Sequence, residues 1–167
     1  STTSTGSSTA TLSLDVQDDA NGDVTVTVEV SDGNEGTAEQ DFTLTVTEVN
    51  DVPVANASSF STNEDNEGST TLTGNDGDPW SSTVDDQDLT FAIVSGVSNG
   101  TLSLNASTGD VTYDPDDNFN GSDSFTFTVT DDGTTDGSSD ALVSSTATVD
   151  ITVNAVNDVP TLTTINA

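Results

Sequence analysis

Asparagine and aspartate recur in this chain in short, ordered groups. Val-Asn-Asp-Val-Pro stands at 49–53 and returns 107 residues later at 156–160, with Asn-Asp-Gly-Asp at 75–78, Asn-Glu-Asp-Asn at 63–66 and paired aspartates at 18–19 and 116–117. Such residues offer oxygen donors and nothing else. The chain holds 30 acidic side chains and no lysine, arginine or histidine, so no internal salt bridge is available to any of them. Each carboxylate is left to water or to a bound cation. Clustered like charges strain a compact state, and salt screens them only beyond about 8 Å at physiological ionic strength. A divalent metal is the partner this composition asks for. Calcium accepts six to eight oxygen ligands in tolerant geometry, from carboxylates, amide carbonyls and main-chain carbonyls alike. Zinc and copper would want the histidines and cysteines that are absent.

The same composition excludes other chemistry. No side chain can neutralise a phosphate, which removes nucleic acid as a partner and removes direct attraction to an anionic membrane. No run approaches the ~20 apolar residues of a membrane-spanning helix. With no histidine, lysine or cysteine, the serines and threonines lack a base to activate them, and no glycine-rich phosphate loop is present. Paired carboxylates, as in glycoside hydrolysis, are the one catalytic arrangement the residue types permit, and nothing in the spacing singles out a pair. The expectation is a protein that is not an enzyme. The absence of cysteine leaves the compartment open.

The elements that must position the acids are strands. Val24, Val26, Val28 and Val30 alternate with polar residues, as do Phe42, Leu44 and Val46; Leu89, Phe91 and Ile93; Phe125, Phe127 and Val129; and Ala147, Val149, Ile151 and Val153. That period of two belongs to half-buried strands, and no helical period competes with it. Three strands are expected around 11–16, 24–30 and 41–48, and seven around 57–62, 69–73, 88–95, 100–104, 110–114, 124–130 and 146–154. Seven short strands with turns such as Asn99-Gly100 and Thr108-Gly109-Asp110 fit an antiparallel β-sandwich. About 100 residues suffice for one such core.

Two stretches repeat one another. DDANGDVTVTVEVSDG at 18–33 runs parallel to DDNFNGSDSFTFTVTDDG at 116–133, and each leads through a loop and a last strand to VNDVP. The order of landmarks predicts a tandem array. Residues 1–10 read as a Ser/Thr-rich linker or end, 11–50 as the C-terminal half of one repeat, 51–157 as a complete repeat and 158–167 as the start of the next. The chain opens on serine rather than methionine and reads as a piece of something longer.

With these residues in view, 11–160 resembles the cadherin-like tandem repeats of large bacterial surface proteins and adhesins. The likeness is carried by NEDNEG, GNDGDPW, the segment from Asn99 to Gly133 and the VNDVP joints. It implies an all-β fold of tandem, antiparallel, Ig/cadherin-like Greek-key sandwiches. It also implies a mechanical role at the cell surface or outside the cell, in which Ca2+ at each joint stiffens successive sandwiches into a rod. Carried onto this sequence, the resemblance assigns metal ligation to Glu64, to Asp76 and Asp78 of the Asp-x-Asp pair, to Asp116 and Asp117, to Asp131, and to Asn157 and Asp158 of the second joint. Asp18 and Asp19 of the half repeat, with Glu48, Asn50 and Asp51, would combine with Asp76, Asp78 and Asp131 at the first joint. Each joint is one residue shorter than the usual cadherin motif, and Ala155 stands where the first joint has Glu48. Fewer ions, or weaker binding, are expected than three calcium ions per joint.

Plainer roles stand beside these. Aspartate is a good turn residue, and Asp85, Asp86, Asp88, Asp136 and Asp140 are read as turns. Trp80 is read as packing on its own domain, with a sugar platform as the alternative. Expected partners are neighbouring repeats of the same or identical chains, with a cell-surface glycan or protein as a second class. A self-assembling filament subunit completed by strand exchange, with 161–167 as donor, is the third reading.

Overall fold

The computed structural model describes residues 11–16, 20–33, 36–77, 87–160 and 162. Asp18, Asp19, Asp78, Trp80, Asp85, Asp86 and, Leu162 apart, the tail 161–167 lie outside the described residues. The chain divides into two units, Ser1–Glu48 and Val49–Ala167. There is no helix among the described residues.

The N-terminal unit is a two-stranded antiparallel ribbon of β1 (Gly22–Ser31) and β2 (Thr37–Val46). Its valines pair across the ribbon as the alternation requires, Val24 opposite Leu44 and Val26 opposite Phe42. The strand expected at 11–16 is not formed: those residues are extended in sequence pattern but unpaired in the ladder and exposed. A strand needs a neighbour to take its backbone hydrogen bonds, and this segment has none among the described residues.

The C-terminal unit holds the remaining strands: β3 (Val54–Ala55), β4 (Ser58–Asn63), β5 (Gly68–Thr71), β6 (Gly74–Asn75), β7 (Thr90–Ser95), β8 (Gly100–Leu104), β9 (Asp110–Pro115), β10 (Gly121–Thr130), β11 (Thr134–Thr135), β12 (Ser138–Ser139) and β13 (Ala147–Asn154). All seven strands expected here form. They make a four-stranded sheet, β4-β13-β10-β7, and a three-stranded sheet, β5-β9-β8. The alternating residues point between the sheets. Phe125, Phe127, Val129, Val149, Ile151 and Val153 from the first sheet meet Val111 and Tyr113 from the second, with Leu72 and Phe91 closing the sides. Phe91 and Phe127 pack tilted at 38° with ring centroids 6.3 Å apart.

One pairing departs from the all-antiparallel expectation. β4 runs parallel to β13, Ser58 opposite Val149 through Asn63 opposite Asn154. The first and last strands of the sandwich are neighbours, and both run toward the end where Glu64 lies, since the Glu64 N–H bonds the Asn154 carbonyl at 2.9 Å. A chain that enters at one end and leaves at the other runs these two strands in the same direction, so where they are neighbours they pair in parallel. The sandwich therefore has an N-terminal pole around Asn50 and a C-terminal pole around Glu64.

A half-buried polar clamp fixes the second sheet to the first. Asp123 accepts the N–H groups of Ser98 and Asn99, and the Tyr113 hydroxyl lies 2.8 Å from the Asn99 carbonyl oxygen and 3.3 Å from Asp123 Oδ2. Burial pushes the Asp123 carboxyl up, but the N–H groups of Ser98, Asn99 and Ser124 and the tyrosine hydroxyl outweigh it and hold the group below its ordinary value. Burial first, and then the Asp123 charge, pushes the Tyr113 phenol from its ordinary 10.0 to about 12. Because the folded value is the higher one, this contribution is complete below about 10 and is lost as pH rises through about 12. Tyr113 is the one tyrosine in the chain, so an ultraviolet absorbance titration reads it directly. The expected midpoint is near 12; an ordinary phenol midpoint in the folded protein would show that the clamp is open to water.

Candidate functional site at the N-terminal pole

Four of the residues assigned to metal binding gather at the N-terminal pole. Pairing of Val54 with Asn75 and of Ala55 with Gly74 lays residues 74–77 along the first joint. Gly77, at φ 95°, leaves no room for a Cβ against the Val52 carbonyl and Asp51. That close approach holds Asp51 beside the loop of Asp76. Asn50, Asp76 and Asp131 are buried, each 6% exposed or less, and Asp51 is half-buried.

Asp131 is the centre of this pole. It ends β10, and its Oδ1 accepts three N–H groups: Asn50 Nδ2 at 3.0 Å, the Leu142 main chain at 2.8 Å and the Gly133 main chain at 3.2 Å. Asn50 Nδ2 also donates to the Asp140 carbonyl at 2.8 Å. With its nitrogen so committed, Asn50 must present Oδ1 elsewhere, where it accepts Gln87 Nε2 at 2.9 Å. A methyl at Gly133 would overlap the Asn50 amide, so the glycine belongs to the site. This chain of donors fixes both amide orientations. It leaves two buried oxygens, Asp131 Oδ2 and Gln87 Oε1, without a donor; the one other such atom among the described residues is the Ser58 hydroxyl in the sheet.

An unpaired buried carboxylate oxygen is costly, and no cationic side chain exists to relieve it. The donor set, carboxylate with amide oxygens, is one that calcium accepts. Among the described residues no three acidic side chains form a group able to hold a metal. An ion at this pole would therefore rely on amide or main-chain oxygens beside Asp131.

The other assigned residues lie elsewhere. Glu64 is buried at the C-terminal pole, where Oε1 accepts the Val156 N–H at 2.5 Å and Oε2 accepts Asn120 Nδ2 at 3.0 Å. It ties the chain leaving β13 to the turn that starts β10. Asp116, Asp117, Asn157 and Asp158 are exposed. Glu48 closes the N-terminal unit and is half-buried. The turn reading holds for Asp136, whose φ of 51° lies in the left-handed region between β11 and β12. Asp140 does more than turn the chain: its carboxylate accepts the Thr135 hydroxyl at 2.7 Å and its carbonyl holds Asn50. Gln87 has no sequence signature and was missed for that reason.

A sequence profile of the bacterial Ig domain family matches residues 50–152. The chain belongs to the bacterial Ig domain family. Its first matched residue is Asn50, so the N-terminal pole opens the domain. Among solved structures, the extracellular domain of protocadherin gammaB4 is similar with a TM-score of 0.56 at 17% identity, over 79% of this chain and 22% of that one. Human protocadherin-24 EC1-2 gives 0.54 at 16% identity, over 80% and 66%, and Drosophila N-cadherin EC1-4 gives 0.52 at 15%, over 83% and 35%. These likenesses establish a cadherin-like and Ig-like β fold. The chain spans about a fifth of the gammaB4 domain it matches. No curated protein matches it.

Proposed function

We propose that this bacterial Ig chain is a structural segment of an extracellular repeat array, and that calcium at the poles of its sandwich stiffens it. The observation that carries this reading is Asp131 Oδ2, a buried carboxylate oxygen with no donor, in a chain with no cationic side chain. Asp131, Asn50, Asp51, Asp76 and Gln87 would hold the ion at the N-terminal pole, with Asp78 of the same loop. Glu64, Asp116, Asp117, Asn157 and Asp158 are the corresponding donors at the C-terminal pole. Asp18, Asp19 and Glu48 are the contributions proposed for the preceding repeat. The bound ion would supply positive charge where the fold concentrates negative charge, and the chain's own residues would supply a preformed oxygen cradle. The partners are neighbouring repeats, the role is non-catalytic and the setting is a cell surface or its adhesive fibres.

Calorimetric titration tests the cofactor. Calcium is expected to bind with a Kd of about 0.1–1 mM, the range of extracellular modules, and magnesium more weakly because it sheds its water reluctantly. Equal heats for the two ions would point to a diffuse counterion atmosphere instead of a site.

A further inference from the structure

An offset of 99 residues lays residues 12–32 on residues 111–131 without a gap. Leu12, Leu14 and Val16 fall on Val111, Tyr113 and Pro115; Asn21-Gly22 on Asn120-Gly121; Val26, Val28 and Val30 on Phe125, Phe127 and Val129; and Asp32 on Asp131. The second strand follows at the spacing of the joints, with Phe42, Leu44 and Val46 on Val149, Ile151 and Val153. The geometry agrees. Gly22 pairs with Val46 as Gly121 pairs with Val153, Val26 with Phe42 as Phe125 with Val149, and Val28 with Gln40 as Phe127 with Ala147. Both glycines hold positive φ, 111° and 137°. The ribbon is thus the β10–β13 hairpin in its own register.

Its surroundings differ. In the C-terminal unit this face is sealed by β5-β9-β8, and Phe125 and Phe127 are at most 1% exposed. On the ribbon Val24 is 53%, Val28 42%, Val30 65% and Phe42 42% exposed. The reverse face carries Asp23, Thr25, Thr27 and Glu29 opposite Thr45, Thr43, Asp41 and Glu39, so the ribbon has one apolar side and one polar side. Leu12, Leu14 and Val16 keep the alternation of β9 without its ladder. β9 is paired on both edges, by β5 and β8, and neither has a counterpart among the described residues of the N-terminal unit.

We propose that the face bearing Val24, Val26, Val28, Val30, Phe42 and Leu44 is an interaction surface whose partner is a strand set of the kind formed by residues 58–104, the first strands of another repeat. One partner strand lies parallel to β2 as β4 lies along β13. Another lies antiparallel to β1 as β7 lies along β10. Two more draw Leu12–Val16 into a strand between them across the apolar face. Edge pairing selects this partner over a second ribbon. Two ribbons packed apolar face to apolar face would leave both sheet edges open, whereas a strand set of this kind pairs both, and β4, β5, β7 and β8 bring no charged residue to the face. The inference rests on packing and register, and stands whether or not calcium binds the poles.

Joining a second copy of residues 49–109 directly ahead of residue 11 of the chain supplies the missing strands in the order used by the C-terminal unit. Hydrogen exchange of the β1 and β2 amides is expected to slow about a hundredfold or more, toward that of β10 and β13, and Leu12–Val16 should become protected with them. A second version carrying Val26→Phe and Val28→Phe restores the side chains of Phe125 and Phe127, in case the smaller valines underpack the added strands. Exchange unchanged in both versions overturns the proposal. So does a dimer of the original chain in sedimentation with β1 and β2 already protected, because the partner would then be a second ribbon.

Discussion

Phe127→Ala is expected to destabilise the C-terminal unit by about 3–5 kcal/mol, the cost of removing a large buried aromatic and leaving its cavity. The ring is 0% exposed, packs against Phe91 and sits on β10 between β13 and β7, where both neighbouring strands prevent collapse into the space. Domains of this size have only about 5–15 kcal/mol to lose, and a net charge of −30 without a single cation lowers what is available here. The unit should be largely unfolded at temperatures the parent survives. The ribbon supplies an internal control. Val28 stands at the equivalent place on β1 and is 42% exposed, so Val28→Ala should change the stability of the ribbon itself by nothing measurable. Equal losses from the two substitutions would mean that the ribbon face is already covered.

The second large effect is conditional. Asp131→Asn keeps an oxygen to accept Asn50, Gly133 and Leu142, and replaces the donorless oxygen by an amide nitrogen. In chelator the substitution removes a buried acid that has no cation beside it while keeping an acceptor for its three N–H donors, so it should leave stability equal to the parent or raise it. With calcium present the order should reverse, the parent gaining about 2–3 kcal/mol at saturating ion and the variant gaining little. A variant that is much less stable than the parent in chelator would show that Asp131 is a structural cap with no stake in an ion.

Much of the fold could be read from alternation, because a half-buried strand declares itself by period two and the inward residues of β4, β7, β9, β10 and β13 do so. Residues 11–16 show why the same signal can mislead. Leu12, Leu14 and Val16 alternate as well as Val111 and Tyr113 do, yet pairing depends on neighbours that periodicity does not report. The parallel β4–β13 pair was hidden for a related reason, since strand direction follows from where the chain must leave the sandwich. At the N-terminal pole, the Val-Asn-Asp and Asn-Asp-Gly motifs marked Asn50, Asp51 and Asp76, and the end of the alternating Phe125–Thr130 strand marked Asp131. Gln87 was not legible: an amide side chain acquires meaning only from what it touches, and Asn50 Oδ1 reaches it across the fold. Glu64 was legible as an important acid but not as a clamp on Val156, which depends on the path of the chain after β13.

Calcium dependence of thermal unfolding bears most directly on the central claim. The full chain would be melted in a calorimeter in chelator, in calcium and in magnesium at matched ionic strength. At about a hundred times Kd, an ion bound only by the native state adds about 2.7 kcal/mol, on the order of 10 °C for a unit of this size. The account predicts that rise with calcium and a distinctly smaller one with magnesium. Identical transitions in all three solutions, or the same shift with either ion, would contradict it.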